Sequence, residues 1–511
     1  MIQQEIKTLS KIAGAMGVLN IAGIMVSFVV GILITRIVGA SVLGTITIGL
    51  SILGVFRVFA TLGLDKGALR YISHYKGKND FKAMRTTVWA TIGTTTILSI
   101  FFITIYKIGF FSQIIFLFPS IPELDHIFQI IIYLLPMIVL SEIINNLLTG
   151  IEKPQHVQVV QKILLPITRL LLLLVLVYFF TRLDAFLYAT FLSQTFALLV
   201  LIIVFIKLFR ESGSPSNLSE NLFDLKQFIM YSLPLTLIPI FNLSTQQIDT
   251  LIIGHFMDAK ETGVYAIVRR IGEMVLIPLT MVAGIFSAQA SRMYSQERIQ
   301  DIKALYLFST KWTYIFSAFI FLIFYLEADF FLKLFGDEFV IGAKPLQVFI
   351  LGHLINASFG PNGFLLLMLH KSKLVLFNSL ISAIVGVLLA YYLIKDYGLL
   401  GATTAMTITI IVVNILAMLQ LYFLFDIVPC SLGVFFKRLG LVLGNAYLTT
   451  LVLTYTKVDN IYSHLGVTSI IIFLLFPILL YLFEGFSEDD KIILKLIERK
   501  TKRFVNNKVD Q

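Results

Sequence analysis

Long apolar runs with few charged residues dominate this chain of 511 residues. Fourteen of these runs are close to the length of about 20 residues that a helix needs to cross a bilayer. We number them spans 1 to 14, at residues 14–37, 42–64, 86–106, 126–149, 159–180, 184–206, 229–254, 263–286, 306–326, 343–367, 374–394, 401–425, 439–456 and 466–483. The runs are uninterrupted rather than alternating, which favours helices over a β-barrel. The sequence therefore predicts an all-α membrane protein with about fourteen transmembrane helices.

The composition excludes a soluble protein. Apolar residues make up 58% of the chain and charged residues only 14%, against roughly 45–50% and about 25% in soluble domains. The net charge of +10 would point to a nucleic-acid partner in a soluble protein. In a membrane protein it is more simply explained by Lys and Arg in cytoplasmic loops, so we expect no nucleic-acid partner.

The distribution of Lys and Arg predicts the orientation. With the N-terminus inside, most of the 40 basic residues fall in cytoplasmic segments, as the positive-inside rule requires. This predicts a multi-pass protein of the inner (cytoplasmic) membrane with both termini in the cytoplasm. Arg36 then lies at the outer end of span 1, where its head group is expected to snorkel into water. The tail at 484–511 is interpreted as an amphipathic helix on the cytoplasmic surface or as a solvated tail.

Two helix junctions recur at nearly the same spacing. LITRIVGASVLGTI (33–46) and IIGHFMDAKETGVY (252–265) both re-enter a helix through a glycine, Gly44 and Gly263, which are 219 positions apart. LLTGIEKPQ (147–155) and LLLMLHKSK (365–373) both end a helix before a lysine, Lys153 and Lys371, which are 218 positions apart. Spans 1–6 are therefore predicted to recur as spans 7–12, and because six is even the two copies share one orientation.

This parallel repeat predicts the organisation of the chain. Two six-helix bundles, at 1–215 and 216–428, are followed by two additional transmembrane helices at 429–483 and the tail at 484–511. A repeat about an axis along the membrane normal places a substrate site between the two bundles.

Five stretches resemble one transporter family. TRIVGASVLGTITIGLSI (35–52) with LGLDKGALRYIS (62–73) resembles the first two helices of polysaccharide flippases, and IDTLIIGHFMDAKETGVYAIVRRI (248–271) resembles the start of their second half. FLKLFGDEFVIGAKPLQVFILG (331–352) and YYLIKDYGLLGATTAMTI (391–408) resemble the approaches to their tenth and twelfth helices. The family is the oligosaccharide and O-antigen (Wzx-type) flippase group of the multidrug/oligosaccharidyl-lipid/polysaccharide exporter superfamily.

The resemblance implies a function and its partners. It implies movement of a polyprenyl-diphosphate-linked oligosaccharide from the cytoplasmic to the outer leaflet for cell-surface polysaccharide biosynthesis. Alternating access of the two bundles is our hypothesis for the mechanism, and its basis is the repeat together with the embedded basic residues. The implied partners are the lipid bilayer, the lipid-linked glycan, a coupling ion (proton or sodium) and a complex with a polysaccharide polymerase. No enzymatic activity and no cofactor are expected.

Charged residues inside the spans are candidates for function, because a charge in hydrocarbon costs several kcal/mol. The basic candidates for substrate binding are Arg57, Lys162, Arg169, Arg269 and Arg270. A guanidinium fork suits a diphosphate. Snorkelling or pairing with an acidic residue is the alternative, and Glu273 lies within one helical turn of both Arg269 and Arg270.

Polar stripes mark three spans. Glu142, Asn145, Asn146 and Thr149 share one face of span 4, and Lys162 and Arg169 share one face of span 5. Asn242, Gln246 and Asp249 do the same in span 7. Asn145 and Asn146 are candidates for substrate binding, and the carboxylates Glu142, Asp249 and Glu273 are candidates for ion coupling. These stripes indicate helices that line a wet cavity or helices that hydrogen-bond to one another.

Two other functions remain open at this stage. A multidrug or toxin extruder of the same superfamily would favour a cavity rich in carboxylates, whereas the embedded charges here are more often basic. A membrane-embedded sugar polymerase would need carboxylates in a sizeable exterior loop, and 327–342 is short. The phosphate-binding pattern GxxxxGK[ST] is missing from the sequence, and the seven histidines show no metal-ligand spacing.

Overall fold

The structure of the protein, a computed structural model, describes residues 2–78, 80–109, 118–119, 121–211, 225–243, 247–429, 432–456 and 461–483. These residues fold as helices joined by short turns, and they include no strand. Gln246, Cys430 and the tail at 484–511 lie outside the described residues. The all-α prediction is confirmed.

Spans 1–6 form the first half of the fold. Its helices are Ile2–Thr61, Leu64–Gly77, Phe81–Lys107, Leu124–Ile131, Leu134–Gly150, Gln155–Val159, Leu165–Leu176 and Arg182–Glu211, with a π-helical turn at Val160–Leu164. The pair Leu124–Ile131 and Leu134–Gly150 is bent by 47° and together corresponds to span 4. Span 5, which contains two basic residues, is helical as predicted.

Spans 7–14 form the second half. Its helices are Leu225–Ser232, Leu237–Leu243, Asp249–Phe256, Ala259–Gly272, Ile277–Ser295, Ile299–Leu326, Ala328–Phe335, Ala343–Phe359, Asn362–Met368, Ser372–Phe425, Leu432–Thr456 and Ile461–Phe483. Short 3-10 turns lie at Leu233–Thr236, Glu273–Leu276 and Asp337–Gly342. Pro234 lies in the first of these turns and Pro278 directly after the second, as expected of residues that remove a backbone donor.

Among the described residues, eight helices are long and apolar enough to cross a membrane, or nine with the bent pair. Two of the eight, Leu19–Thr61 and Ser372–Phe425, are 43 and 54 residues long. Each is interrupted by a glycine with positive φ, Gly39 at 83° and Gly398 at 57°. A side chain at such a φ would be strained, so each glycine separates two of the predicted spans.

The repeat is visible in the backbone of equivalent turns. Glu152 and His370, 218 positions apart, both have positive φ, at 65° and 58°. The next residue of each turn closes it in the same way: Lys153 N–H donates to the Leu148 carbonyl at 2.8 Å, and Lys371 N–H to the Leu366 carbonyl at 2.9 Å. Both turns are helix C-caps of the left-handed type. The predicted parallel repeat is confirmed in these elements.

The repeat produces two lobes, each with its own core. One apolar cluster runs from Val30 to Ala259 and is built mainly from spans 1–6. A second cluster, built mainly from spans 7–12, also contains Leu441 of span 13 and Phe476 of span 14. The two additional helices therefore pack on the second lobe.

Equivalent small residues join the two lobes. A Cβ added to Gly44 of span 2 would lie 1.7 Å from the Ala259 carbonyl oxygen, and a Cβ added to Gly263 of span 8 would lie 2.0 Å from the Ala40 carbonyl oxygen. Ala40 and Ala259 are again 219 positions apart. The two helices thus cross through a pair of small-xxx-small patterns, which allow backbones to approach closely.

A second contact between the lobes lies at the predicted outer end. The guanidinium of Arg36 donates to the carbonyl oxygens of Leu334 at 2.7 Å and Lys333 at 3.4 Å. In return, the Glu338 carboxylate accepts the Ala40 N–H at 2.7 Å. We call these contacts the outer clasp. The expectation that Arg36 only snorkels is wrong, because carbonyls at the end of the helix Ala328–Phe335 lie within its reach.

The glycine crossing predicts a position-specific effect on stability. Gly263→Ala should destabilise the protein by about 1–3 kcal/mol or more, because the methyl group has no room against a backbone carbonyl. Thermal unfolding of the purified protein in detergent measures the change. Gly284→Ala, further along the same span where nothing lies within 4 Å of the added methyl, is the control. Equal melting temperatures for the two variants would contradict the close crossing.

Candidate functional site

A cavity of about 450 Å³ lies inside the first lobe. Spans 2, 4, 5 and 6 line it with Leu50, Arg57, Leu134, Ile138, Ser141, Glu142, Asn145, Gln161, Arg169, Thr190 and Gln194. Most of these side chains are polar. The cavity brings together four of the predicted site residues: Arg57, Glu142, Asn145 and Arg169.

Arg57 and Glu142 form an ion pair within this cavity. The Nη1 atom of Arg57 lies 2.8 Å from Oε2 of Glu142, and each side chain keeps just over a quarter of its surface exposed. Because each charge has the other as its partner, the lobe does not contain an uncompensated charge at this position. The pair is therefore a neutral but strongly polar part of the wall.

Asn145 and Asn146 have different surroundings, although they are adjacent. Asn145 is exposed and lines the cavity. Asn146 is buried and donates to the Asp65 carboxylate at 3.4 Å and to the Glu142 carbonyl at 3.0 Å. Asn146 thus connects span 4 to the helix Leu64–Gly77, and it does not line the cavity.

Lys162 and Arg270 lie against one face of span 1. Lys162 packs on Gly23 and donates to the Asn20 side chain. Arg270 packs on Gly31 and donates to the Ser27 carbonyl. Gly23, Ser27 and Gly31 are spaced four residues apart, so span 1 presents a stripe of small residues on which cations from both lobes lie.

Arg169 lies between the cavity and span 1. Its guanidinium contacts the Ser193 hydroxyl at 3.5 Å, and it is close enough to Arg270 for the two positive charges to repel each other. Arg169 and Lys162 come from the first lobe and Arg270 from the second. Arg169 and Arg270 therefore lie near each other where the lobes adjoin, and Lys162 binds span 1 about two helical turns nearer to its N-terminus, at Asn20.

Arg269 belongs to a different cluster, inside the second lobe. Its guanidinium lies 3.4 Å from Asp249 and 3.0 Å from Glu273. Asp249 is buried and also accepts the Tyr265 hydroxyl at 2.5 Å and the Thr250 N–H at 2.7 Å. Glu273 is half exposed. The second lobe thus contains a compact network of paired charges.

The embedded charges therefore fall into two classes. Arg57 and Arg269 each have a carboxylate partner, and the three ion-coupling candidates Glu142, Asp249 and Glu273 are those partners. Within the described residues, Lys162, Arg169 and Arg270 have neutral oxygens as partners and no carboxylate. Nor do the described residues place three or more His, Cys, Asp or Glu side chains to hold a metal ion. Lys162, Arg169 and Arg270 thus differ from Arg57 and Arg269, which have carboxylate partners.

Several residues of these sites are missing from the sequence prediction. Asp65 is buried in the helix that continues span 2, one residue beyond the predicted end of that span. The π-helical turn Val160–Leu164 contains Lys162, and such turns are frequent at functional sites. The four-residue spacing of Gly23, Ser27 and Gly31 is visible in the sequence and could have identified the face of span 1.

Comparison with known proteins identifies the family. The profile of a family described as polysaccharide biosynthesis protein matches residues 11–288, more than half of the chain, and the MatE profile matches residues 234–392. Searching the curated proteins finds no match.

Solved structures show the same fold. A lipid II flippase, MurJ, in an inward closed conformation superimposes with a TM-score of 0.73 at 14% identity, over 92% of this chain and 98% of that one. An inward-facing multidrug resistance MATE family transporter of the MOP superfamily gives 0.63 at 16% identity, over 79% and 97%. The MATE multidrug transporter DinF-BH gives 0.59 at 19%, over 81% and 95%. The chain therefore belongs to the polysaccharide biosynthesis protein family, within the multidrug/oligosaccharidyl-lipid/polysaccharide (MOP) superfamily of membrane flippases and transporters.

Proposed function

We propose that the protein flips a polyprenyl-diphosphate-linked oligosaccharide from the cytoplasmic to the outer leaflet for cell-surface polysaccharide biosynthesis. The observation that carries this proposal is a group of three embedded cations, Lys162, Arg169 and Arg270, for which the described part of the chain provides no carboxylate partner. A diphosphate carries enough negative charge to compensate such a group. Charge-assisted hydrogen bonds to phosphate oxygens are also strong where water is scarce.

Arg169 and Arg270 are the pair that would hold a head group between the lobes. Arg169 belongs to span 5 and Arg270 to span 8, so an anion that contacts both would contact both lobes. Lys162 lies further along span 1, at Asn20, where it adds positive charge to the same face. Arg57 and Arg269 are already neutralised by carboxylates. We therefore assign Arg269 a positioning role in the second lobe and Arg57 a place in the wall of the first.

The alternative function as a drug extruder is supported by the MatE match and by the MATE structures, which share the fold. A site for cationic drugs would present carboxylates without cationic partners. Here the embedded carboxylates Glu142, Asp249 and Glu273 are all paired with arginines. An anionic substrate therefore agrees better with this site than a cationic one.

Alternating access is the mechanism we propose for transport. The bundles at 1–215 and 216–428 would rock about the crossing of Gly44 and Gly263, with the helices at 429–483 moving with the second lobe. The outer clasp joins Arg36 and Ala40 of the first lobe to the segment 333–338 of the second, so it has to break for release outside.

We place the protein in the inner membrane with both termini, and the tail at 484–511, in the cytoplasm. A polysaccharide polymerase is the partner we propose for the released glycan.

Asp249 is the carboxylate we propose for ion coupling. It is buried, and its oxygens are occupied by Tyr265, Thr250 and Arg269, which leaves little room for a sodium ion with several oxygen ligands. A proton needs only one carboxylate oxygen, and its binding would weaken the ion pair between Asp249 and Arg269. We therefore favour a proton over sodium as the coupling ion.

The diphosphate assignment predicts loss of transport when the unpaired cations are neutralised. A Lys162→Met, Arg169→Gln, Arg270→Gln variant should fail to complement a flippase-deficient strain while remaining in the membrane. Three lost charge-assisted hydrogen bonds correspond to about 1000-fold or more in affinity. Colony growth and surface polysaccharide are measured beside the membrane level of the protein.

A charge-matched control uses three exposed lysines, Lys260, Lys344 and Lys395. Changing these to Gln removes the same net charge, and complementation should persist. Full complementation by the first variant would overturn the diphosphate assignment.

The outer clasp predicts how easily the cavity opens outward. In a Cys430→Ser background with Asn145→Cys in the cavity, an impermeant maleimide added outside should react several-fold faster once Arg36→Ala and Glu338→Ala are introduced. The reason is that the lobes lose the hydrogen bonds that join them at this end. Lys333→Ala, which removes an exposed side chain but leaves its carbonyl, is the control. If the labelling rates of the two variants match, the clasp is not a gate.

The ion-coupling assignment predicts different effects for the two carboxylates that contact Arg269. Asp249→Asn should lower stability by about 1.5–3 kcal/mol, because a buried charge-assisted network is lost, and should abolish the dependence of transport on the proton gradient. Glu273→Gln removes a half-exposed ion pair worth about 0–1 kcal/mol and should leave that dependence intact. Thermal unfolding and transport into vesicles with and without a pH gradient measure both effects. A retained gradient dependence in Asp249→Asn would eliminate Asp249 as the coupling group.

A further inference from the structure

We propose that the cavity of the first lobe is a glycan site, which binds the sugar units nearest to the diphosphate while Lys162, Arg169 and Arg270 hold the diphosphate itself. This inference rests on the proposed function and deepens it. It divides the substrate between two neighbouring sites, one that recognises charge and one that recognises hydroxyl groups.

The chemistry of the cavity wall fits an uncharged, hydroxyl-rich ligand. The charges of Arg57 and Glu142 cancel at 2.8 Å. Apart from Arg169, which we assign to the diphosphate, the other polar groups are amides and hydroxyls: Ser141, Asn145, Gln161, Thr190 and Gln194. These groups both donate and accept hydrogen bonds, as sugar hydroxyls do. A second phosphate would meet the Glu142 carboxylate here, so we infer that this cavity takes a neutral group.

Two of the polar groups have no partner among the residues that the structure describes. Within that part of the chain, the Thr190 hydroxyl oxygen is buried and makes no hydrogen bond. The Asn145 side chain also makes none there, and it is exposed to the cavity. A buried polar group without a partner costs about 1–3 kcal/mol. A ligand that supplies hydroxyl groups would remove this cost at Thr190.

The wall also contains an apolar side. Leu50, Leu134 and Ile138 line the cavity beside the polar residues. A pyranose ring also has a polar and an apolar part, with hydroxyl groups at its edge and C–H groups on its face. Ligand sites commonly combine an apolar wall with a few well-placed polar groups in this way.

The position of the cavity places it beside the diphosphate. Arg169 lines the cavity and is also close enough to Arg270 to be affected by its charge. In a polyprenyl-diphosphate-linked glycan the first sugar is bonded directly to the phosphate. A diphosphate held by Arg169 and Arg270 therefore directs the first sugar units toward Asn145 and Thr190.

A purely structural cavity predicts a different response to substitution. If Thr190 only fills space, Thr190→Val should be neutral or stabilising, because it replaces an unsatisfied hydroxyl with a methyl group of the same shape. If Thr190 binds sugar, the same substitution should weaken glycan binding without reducing stability. A site built to bind hydroxyl groups discriminates strongly when its polar groups lose their partners.

The test compares two lipids by native mass spectrometry of the purified full-length protein. One is undecaprenyl diphosphate, and the other is the undecaprenyl-diphosphate-linked glycan extracted from the cells that express the protein. The wild type should bind the glycan-linked lipid more tightly. The Asn145→Ala, Thr190→Val variant should bind it about tenfold more weakly, corresponding to two hydrogen bonds of about 0.5–1.5 kcal/mol each, while its affinity for undecaprenyl diphosphate stays the same.

Controls separate this inference from the proposed function. Thr195→Val, on the same helix but hydrogen-bonded to Phe191 and Met137 and outside the cavity lining, should leave both affinities unchanged. Equal wild-type affinities for the two lipids, or an equal loss of both in the double variant, would overturn the glycan site and leave the flippase proposal standing. Failure of the wild type to bind either lipid would contradict the proposed function itself.

Discussion

The cost of an uncompensated charge inside a bilayer organises this molecule. Each embedded charge needs a partner, water or a ligand, because hydrocarbon offers none of these. Arg57 and Arg269 have carboxylate partners, and Asp249 has three donors. Among the residues that the structure describes, Lys162, Arg169 and Arg270 have only neutral oxygens as partners, and Arg169 lies close enough to Arg270 to be affected by its charge. This imbalance is the physical basis for assigning an anionic substrate to the place where the lobes adjoin.

The repeat explains how the cations without carboxylate partners among the described residues are positioned. Gly44 and Gly263 let spans 2 and 8 cross at backbone distance, so the residues that follow them are fixed relative to both lobes. The stripe of small residues on span 1 packs against Lys162 of the first lobe and Arg270 of the second. A larger side chain at Gly23 or Gly31 would displace Lys162 or Arg270. Close helix packing and the cationic site are thus consequences of the same small residues.

Much of the fold could be predicted from the sequence. Apolar runs and the spacing of Gly44 with Gly263 and Lys153 with Lys371 predicted the helices and their repeat, because these features depend on local composition and on chain distance. The pairing of charges could not be predicted in the same way. Glu142 meets Arg57 and Asp249 meets Arg269 through contacts between different helices, whose rotation the sequence pattern does not specify. Asn145 and Asn146 shared one predicted face, yet only Asn145 lines the cavity.

The inter-lobe contacts were the least predictable part of the structure. Arg36 binds carbonyls nearly 300 positions away, and Glu338 caps the helix that begins at Ala40. Neither partner shows a sequence pattern that identifies the other. The direct test of the central claim is the affinity of the purified protein for undecaprenyl diphosphate relative to undecaprenol, which shares the chain but lacks the diphosphate. The unpaired cations predict much tighter binding of the diphosphate, and a preference that disappears when Lys162, Arg169 and Arg270 are neutralised. Equal wild-type affinity for the two lipids would contradict the claim.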